Sequence, residues 1–88
     1  MNRAEALSAS LVAQLRRELA ERDLTQSELS EKLGIHPVTM NLYMKGRRHI
    51  PMPTFFQLAD ELGMTPSDLL GAAEARMSAA SPVEGDDA

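Results

Sequence analysis

The sequence predicts an all-α protein, a compact bundle of about five short helices that contains a helix-turn-helix. Apolar residues recur at the spacing of a helix, as at Leu7, Leu11, Leu15 and Leu19, and no segment alternates with the period of two that marks a strand. Capping residues and glycines also divide the chain into segments of helical length. With 88 residues, 43% of them hydrophobic, the chain has room for one core.

The first helix is predicted over about residues 4–22, where Val12 and Ala20 widen the apolar stripe. Four polar residues between positions 14 and 18 interrupt this segment, so it is too polar for a membrane span or for the apolar region of a signal peptide. The chain has no cysteine, which excludes disulfides and thiolate metal sites. We therefore expect a cytoplasmic protein that does not contact a membrane.

The second helix is predicted to begin at Gln26, because Thr25 and Glu28 have the spacing of a capping box, in which each side chain accepts a backbone N–H. It ends at Gly34, since glycine readily adopts the left-handed conformation that terminates a helix. The third helix is predicted over residues 37–45, with a proline in its first turn. Only three residues separate the two helices, a length that favours the steep crossing of a helix-turn-helix.

The fourth helix is predicted over residues 53–62 and ends at Gly63. A second capping pair, Thr65 with Asp68, starts a fifth helix whose first position is a proline. Helical spacing places a set of apolar side chains from these two helices in the core: Phe55, Leu58, Ala59, Leu62, Leu69 and Leu70.

Charge is distributed unevenly along the chain. The net charge of −4 is unusual for a protein that binds nucleic acid, yet every formal charge from Lys32 to His49 is positive, and these sum to +4. All thirteen acidic residues lie outside this window, three of them in residues 78–88. Because that segment is acidic and poor in apolar residues, it is predicted to be a disordered tail after a helix-turn-helix domain of residues 1–77.

The run LTQSELSEKLGIHPVTMNLYMKGRR, followed by FFQLADELGMTPSDLL, resembles the Cro and phage-repressor (xenobiotic-response-element) type of helix-turn-helix. The resemblance covers roughly residues 11–70 and rests on the combination of elements. It implies that the third helix lies in the major groove of double-stranded DNA, and that Gln26 and Thr39 contact the DNA backbone. Ser30 departs from the family, which prefers alanine at the contact between the second and third helices.

The exposed face of the third helix also departs from the family. Helical spacing turns Met40 and Tyr43 inward and leaves Pro37, Val38, Asn41, Leu42 and Lys45 outward. Three of these five outward residues are apolar where the family usually carries polar side chains. Asn41 can pair bidentately with adenine, His36 lies at the helix start, and Val38 or Leu42 can pack on thymine methyl groups.

A basic cluster, Lys45, Arg47, Arg48 and His49, follows the third helix. Such cations can bind DNA phosphates. The alternative is a solvated loop, in which the basic residues interact favourably with the C-terminus of the preceding helix. The full set of residues predicted to contact DNA is Gln26, His36, Pro37, Val38, Thr39, Asn41, Leu42, Lys45, Arg47 and Arg48.

The sequence gives no sign of a metal, a cofactor or catalysis. His36 and His49 lie thirteen residues apart without flanking carboxylates, which is poor zinc spacing. No acidic residue stands ready to orient His36 as a catalytic base. Gly34 and Gly46 are isolated, so they do not form a phosphate-binding loop. We expect a protein that is not an enzyme.

Phe56, Leu70 and Met77, together with Met52, form either surplus core or a surface for self-association into a homodimer. A dimer would hold two recognition helices about 34 Å apart, one turn of DNA. The leading hypothesis is therefore a sequence-specific, repressor-like transcriptional regulator. The alternative keeps the fold but uses the apolar face of helix 37–45 to bind a protein partner, as an antitoxin-like or adaptor protein does.

Overall fold

The computed structural model describes residues 2–79, which contain five α-helices. In chain order these are α1 (Arg3–Glu21), α2 (Gln26–Leu33), α3 (Pro37–Met44), α4 (Met52–Glu61) and α5 (Pro66–Ala79). The predicted all-α bundle is confirmed. Most of the segment predicted to be a disordered tail, residues 80–88, lies outside the described residues. None of the helices within 2–79 is long and apolar enough to cross a membrane.

Local hydrogen bonds set the helix boundaries. In the capping box predicted for α2, the Glu28 amide donates to Oγ1 of Thr25 at 3.0 Å, and the Thr25 amide donates to Oε1 of Glu28 at 2.8 Å. Gly34, with a φ of 67°, ends α2 in the left-handed conformation, and Gly63 follows α4 in the same way. The Asp68 amide donates to Oγ1 of Thr65 at 3.0 Å, as expected for the start of α5.

Two residues predicted to lie in the core are exposed, and α5 extends beyond residue 77. Ala20 and Leu70 are exposed, Leu70 to 39%. Each follows a buried leucine, and neighbouring residues of a helix point about 100° apart. On α1 the neighbour that shares the buried side with Leu19 is Glu18, so Ala20 turns to solvent. The helix α5 also continues to Ala79, two residues into the segment 78–88 that was expected to be disordered. Alanine and serine in these two positions are compatible with a helix that is already propagating.

The core draws on all five helices. Its buried members are Leu15, Leu19, Leu29, Met40, Tyr43, Met44, Phe55, Leu58, Ala59, Leu62 and Leu69. Along one side of this core, α1 packs against α5, where Oγ of Ser10 donates to the Ala73 carbonyl at 2.6 Å. The first and last helices therefore lie side by side.

Arg16 of α1 and Arg22, which directly follows α1, attach other helices to it. Arg16 donates to the carbonyl of Met44 at the end of α3. Arg22 donates to the carbonyl of Leu62 beyond α4 at 3.1 Å, and it also bonds to the carboxylate of buried Glu18 at 2.6 Å. The hydrogen bond from Arg22 lowers the pKa of Glu18, so the carboxylate stays charged in the bundle. The Arg16 bond holds the end of α3 against α1, and the Arg22 bond holds the end of α4 there.

Candidate nucleic-acid interface

One face of α3 is buried and the other is open. Met40 and Tyr43 are buried as predicted, and Met44 joins them at the helix end. On the other face, Val38 is 62% exposed and Pro37 lies exposed beside it. Asn41 is half-buried. Leu42 is half-buried too, so it exposes less apolar surface than the sequence suggests.

A side-chain hydrogen bond links α2 to the open face of α3. Nε2 of Gln26 donates to Oδ1 of Asn41 at 3.3 Å, across fifteen residues of chain. This bond sets the orientation of the Asn41 amide, because its oxygen faces Gln26 and its NH₂ group points elsewhere. An amide oxygen has two lone pairs, so Oδ1 can accept a second hydrogen bond. Both residues were predicted to contact DNA, but nothing in the sequence indicated that they pair.

His36 is the N-cap of α3. Its Nδ1 accepts a hydrogen bond from the backbone N–H of Val38 at 3.1 Å, while the side chain stays exposed. A neutral imidazole whose Nδ1 accepts carries its proton on Nε2. The free side of the ring is therefore a hydrogen-bond donor at the start of α3. Because His36 directly precedes Pro37, this donor lies next to the exposed residues Pro37 and Val38.

The basic cluster is exposed and not neutralised. Lys45, Arg47, Arg48 and His49 all face solvent, and within residues 2–79 their side chains make no ion pair. The Arg47 amide donates to the Leu42 carbonyl at 2.9 Å, which holds the loop against the end of α3. The cluster is therefore an exposed positive surface that directly follows the last turn of α3.

Most other lysines and arginines of the described residues already have a partner. Lys32 lies 3.9 Å from the carboxylate of Glu61, so it contributes less positive potential than the sequence count implies. Arg16 was not among the predicted site residues. It donates a hydrogen bond to the Met44 carbonyl and so holds the end of α3 in place. No sequence pattern points to this contact, because it joins residues 28 positions apart. Thr39 is half-buried on the first turn of α3.

A family model described as helix-turn-helix matches residues 14–69, which is more than half of the chain. The chain belongs to the helix-turn-helix family. The matched region contains all ten residues predicted to contact DNA, and the resemblance to the Cro and phage-repressor type is confirmed.

The fold is also similar to a solved structure, that of the clp gene regulator ClgR from Corynebacterium glutamicum. The two chains are 25% identical, the alignment covers 90% of this chain and 84% of the other, and the TM-score is 0.79. No curated protein matches the chain.

Proposed function

We propose that this helix-turn-helix protein is a sequence-specific, repressor-like transcriptional regulator that places α3 in the major groove of double-stranded DNA. The observation that carries the proposal is the unpaired basic cluster directly beside the open face of α3. The similarity to a gene regulator supports the same conclusion. The proposed activity needs no cofactor and no catalysis, and it takes place in the cytoplasm.

In this proposal Asn41 and the side chains around it contact the bases. The hydrogen bond from Gln26 to Oδ1 orients the Asn41 amide in the absence of DNA. The amide can then form two hydrogen bonds to N6 and N7 of adenine. Val38 offers an apolar surface to a thymine methyl, and Leu42 adds a smaller one because it is half-buried. His36 can donate from Nε2 to a base or phosphate at the start of α3.

Phosphate contacts fall to the basic cluster, together with Gln26 and Thr39. Lys45, Arg47 and Arg48 follow the end of α3 and can contact the phosphate backbone beside the groove that holds it. Gln26 is the first residue of α2, so its backbone amide is one of those a helix N-terminus offers to an anion.

The homodimer proposal rests on an exposed apolar surface outside the DNA-binding face. Met52 is 68% exposed, Phe56 46% and Leu70 39%, and all three line an apolar groove of about 320 Å³ between α4 and α5. Met77 lies seven residues after Leu70, on the same side of α5. Analytical ultracentrifugation of wild type and Leu70→Ser tests it, because the variant should shift towards monomer and Gln57→Ser should not.

The alternative function, a protein-interaction module, rests on Pro37 and the exposed Val38. Selection of bound sites from random double-stranded DNA at fixed salt, with wild type and Val38→Ser in parallel, separates the two. A regulator yields an enriched motif, and the variant relaxes the preference for thymine at one position. If no motif is enriched and Val38→Ser changes nothing, the DNA-binding proposal fails.

A further inference from the structure

A second groove, of about 390 Å³, lies between the first half of α1 and the loop that joins α3 to α4. The lining side chains that matter here are Ser8, Leu11 and Val12 of α1 and Arg48, His49 and Ile50 of the loop. Leu11, Val12 and Ile50 give it an apolar floor, whereas Arg48 and His49 give one wall a basic character. The groove thus joins the basic cluster to an apolar surface.

Arg48 can bind a carboxylate of an occupant of this groove. Within residues 2–79 the Arg48 guanidinium has neither an ion pair nor a hydrogen bond. Glu5 adds one negative charge to the lining, and its Oε1 accepts the Asn2 amide at 3.2 Å in the capping box of α1, so Arg48 is the charged group of the lining that attracts a carboxylate. A suitable occupant therefore has a small apolar part for the floor and acidic groups for Arg48.

Residues 80–88 of the same chain have this composition. Pro82 and Val83 are apolar, Glu84, Asp86 and Asp87 follow them, and the segment contains no lysine or arginine. Its charge complements the loop wall of the groove.

The chain is also attached at a suitable place. The second half of α5 packs on the first half of α1, through the Ser10 bond to Ala73 and an ion pair of 3.3 Å between Arg3 and Glu74. Residues 80–88 therefore start beside the helix that forms the other wall of the groove. Nine extended residues span about 30 Å, and a helix with its side chains is about 10–12 Å across. The segment is long enough to pass around α1.

We propose that residues 80–88 dock in this groove in the absence of DNA and hold Arg48 away from the phosphate backbone. Because the segment is tethered, its local concentration at the groove is high, and even a weak contact is populated. The competition with DNA rests on the proposed function, whereas docking itself does not. DNA and the acidic segment would exclude each other at Arg48.

Cysteine cross-linking tests the docking without DNA, since the natural chain has no cysteine. The variant Ser8→Cys with Val83→Cys pairs the groove wall with the apolar part of the segment. The control is Ala4→Cys with Val83→Cys, because Ala4 is exposed, lies nearer the start of α1 and does not line the groove. We expect the Ser8 pair to close an intramolecular disulfide faster, and added Arg48→Gln to slow it about two- to fivefold. Added Arg47→Gln should slow it less, since Arg47 does not line the groove.

Equal rates for the two cysteine pairs would overturn the docking. A disulfide-linked dimer as the main product would overturn it as well, because the segment in the groove would then belong to a second copy of the chain.

DNA affinity tests the competition. The variant Glu84→Gln, Asp86→Asn, Asp87→Asn should bind double-stranded DNA several-fold more tightly than wild type, and Arg48→Gln should abolish the gain. The control Asp23→Asn, Glu31→Gln, Asp60→Asn removes the same charge from exposed positions of the bundle. An equal gain in both triple variants, or no gain, overturns the competition. If wild type does not bind DNA at all, the proposed function fails, and the cross-linking result still decides the docking.

Discussion

Nε2 of Gln26, the first residue of α2, donates a hydrogen bond to Oδ1 of Asn41 on α3, with a distance of 3.3 Å. The bond joins the two helices of the motif on the side that faces away from the core. A residue proposed to contact the DNA backbone thereby orients a residue proposed to read a base. Phosphate contact and base recognition are coupled through one amide pair.

Asn41→Ala should lose about 1 to 3 kcal/mol of discrimination at one base pair, the usual value of a bidentate contact. Gln26→Ala should lose part of the same discrimination, because the Asn41 amide is then free to rotate. The double variant should lose less than the sum of the two, which competition binding with single-base operator variants measures. Additive losses would mean that the hydrogen bond does not contribute to recognition. None of the three variants should flatten the salt dependence as strongly as loss of an arginine does.

Arg47→Ala with Arg48→Ala should weaken binding to all DNA sequences. Each phosphate contact contributes about −0.9 to the slope of log affinity against log salt concentration, so the slope should become shallower by up to about 1.8. Fluorescence anisotropy at several salt concentrations measures it. Arg76→Ala is the control, because Arg76 is exposed on α5, away from α3. An unchanged slope would mean that neither arginine contacts a phosphate.

Gly34→Val should unfold the helix-turn-helix, whereas Gly34→Asn should be tolerated much better. The φ of Gly34 is +67°, and a Cβ built there meets nothing within 4 Å, so the cost is backbone strain and not crowding. Valine is β-branched and disfavours this conformation strongly, whereas asparagine adopts it more readily than most residues. Thermal unfolding followed by circular dichroism should give the highest melting temperature for wild type, a lower one for the asparagine variant and the lowest for the valine variant. Similar losses for both variants would contradict the strain argument.

Ser30→Ala should stabilise the protein by about 1 kcal/mol, because a buried hydroxyl without a partner costs about 1 to 3 kcal/mol. Oγ of Ser30 is buried and has no hydrogen-bond partner within the described part of the chain. Ser10→Ala is the matched variant, and it should destabilise by about 1 kcal/mol because Oγ of Ser10 donates to the Ala73 carbonyl. Urea denaturation should move the two midpoints in opposite directions. A shift of both midpoints in the same direction would contradict the prediction.

Stability should fall in acid through Glu18 and Glu28. Both groups have a pKa below their ordinary value of 4.5, Glu18 mainly through the hydrogen bond from Arg22 and Glu28 mainly through the Thr25 amide. A lowered pKa in the folded state stabilises above the unfolded pKa, and this stabilisation is lost as the pH falls through the folded value. Urea denaturation from neutral pH to below 4.5 measures the loss. Glu18→Gln should reduce this acid sensitivity, whereas Glu31→Gln, which alters an exposed carboxylate, should leave it nearly intact.

The sequence predicts best where structure is local. The start of α2 and the glycine turn depend on residues within three or four positions of each other, and these predictions hold. Leu70 shows where the argument fails, since helical spacing alone does not say which of two adjacent leucines faces the core. The Gln26–Asn41 pair and the Arg16 bond to Met44 join distant parts of the chain. Such contacts follow from tertiary packing, so their residues were identified singly or not at all.

The packing of α1 against α5 bears on the order in which the protein folds. The helices α2 and α3 meet across a three-residue turn, whereas Ser10 and Ala73 are 63 residues apart. Contacts between distant residues cost more loop-closure entropy and form later. We therefore expect the DNA-binding motif to assemble first and the pairing of the terminal helices to close last. Brief openings of the native protein should then detach α5 while α3 stays folded. Amide hydrogen exchange should therefore be faster along α5 than along α3.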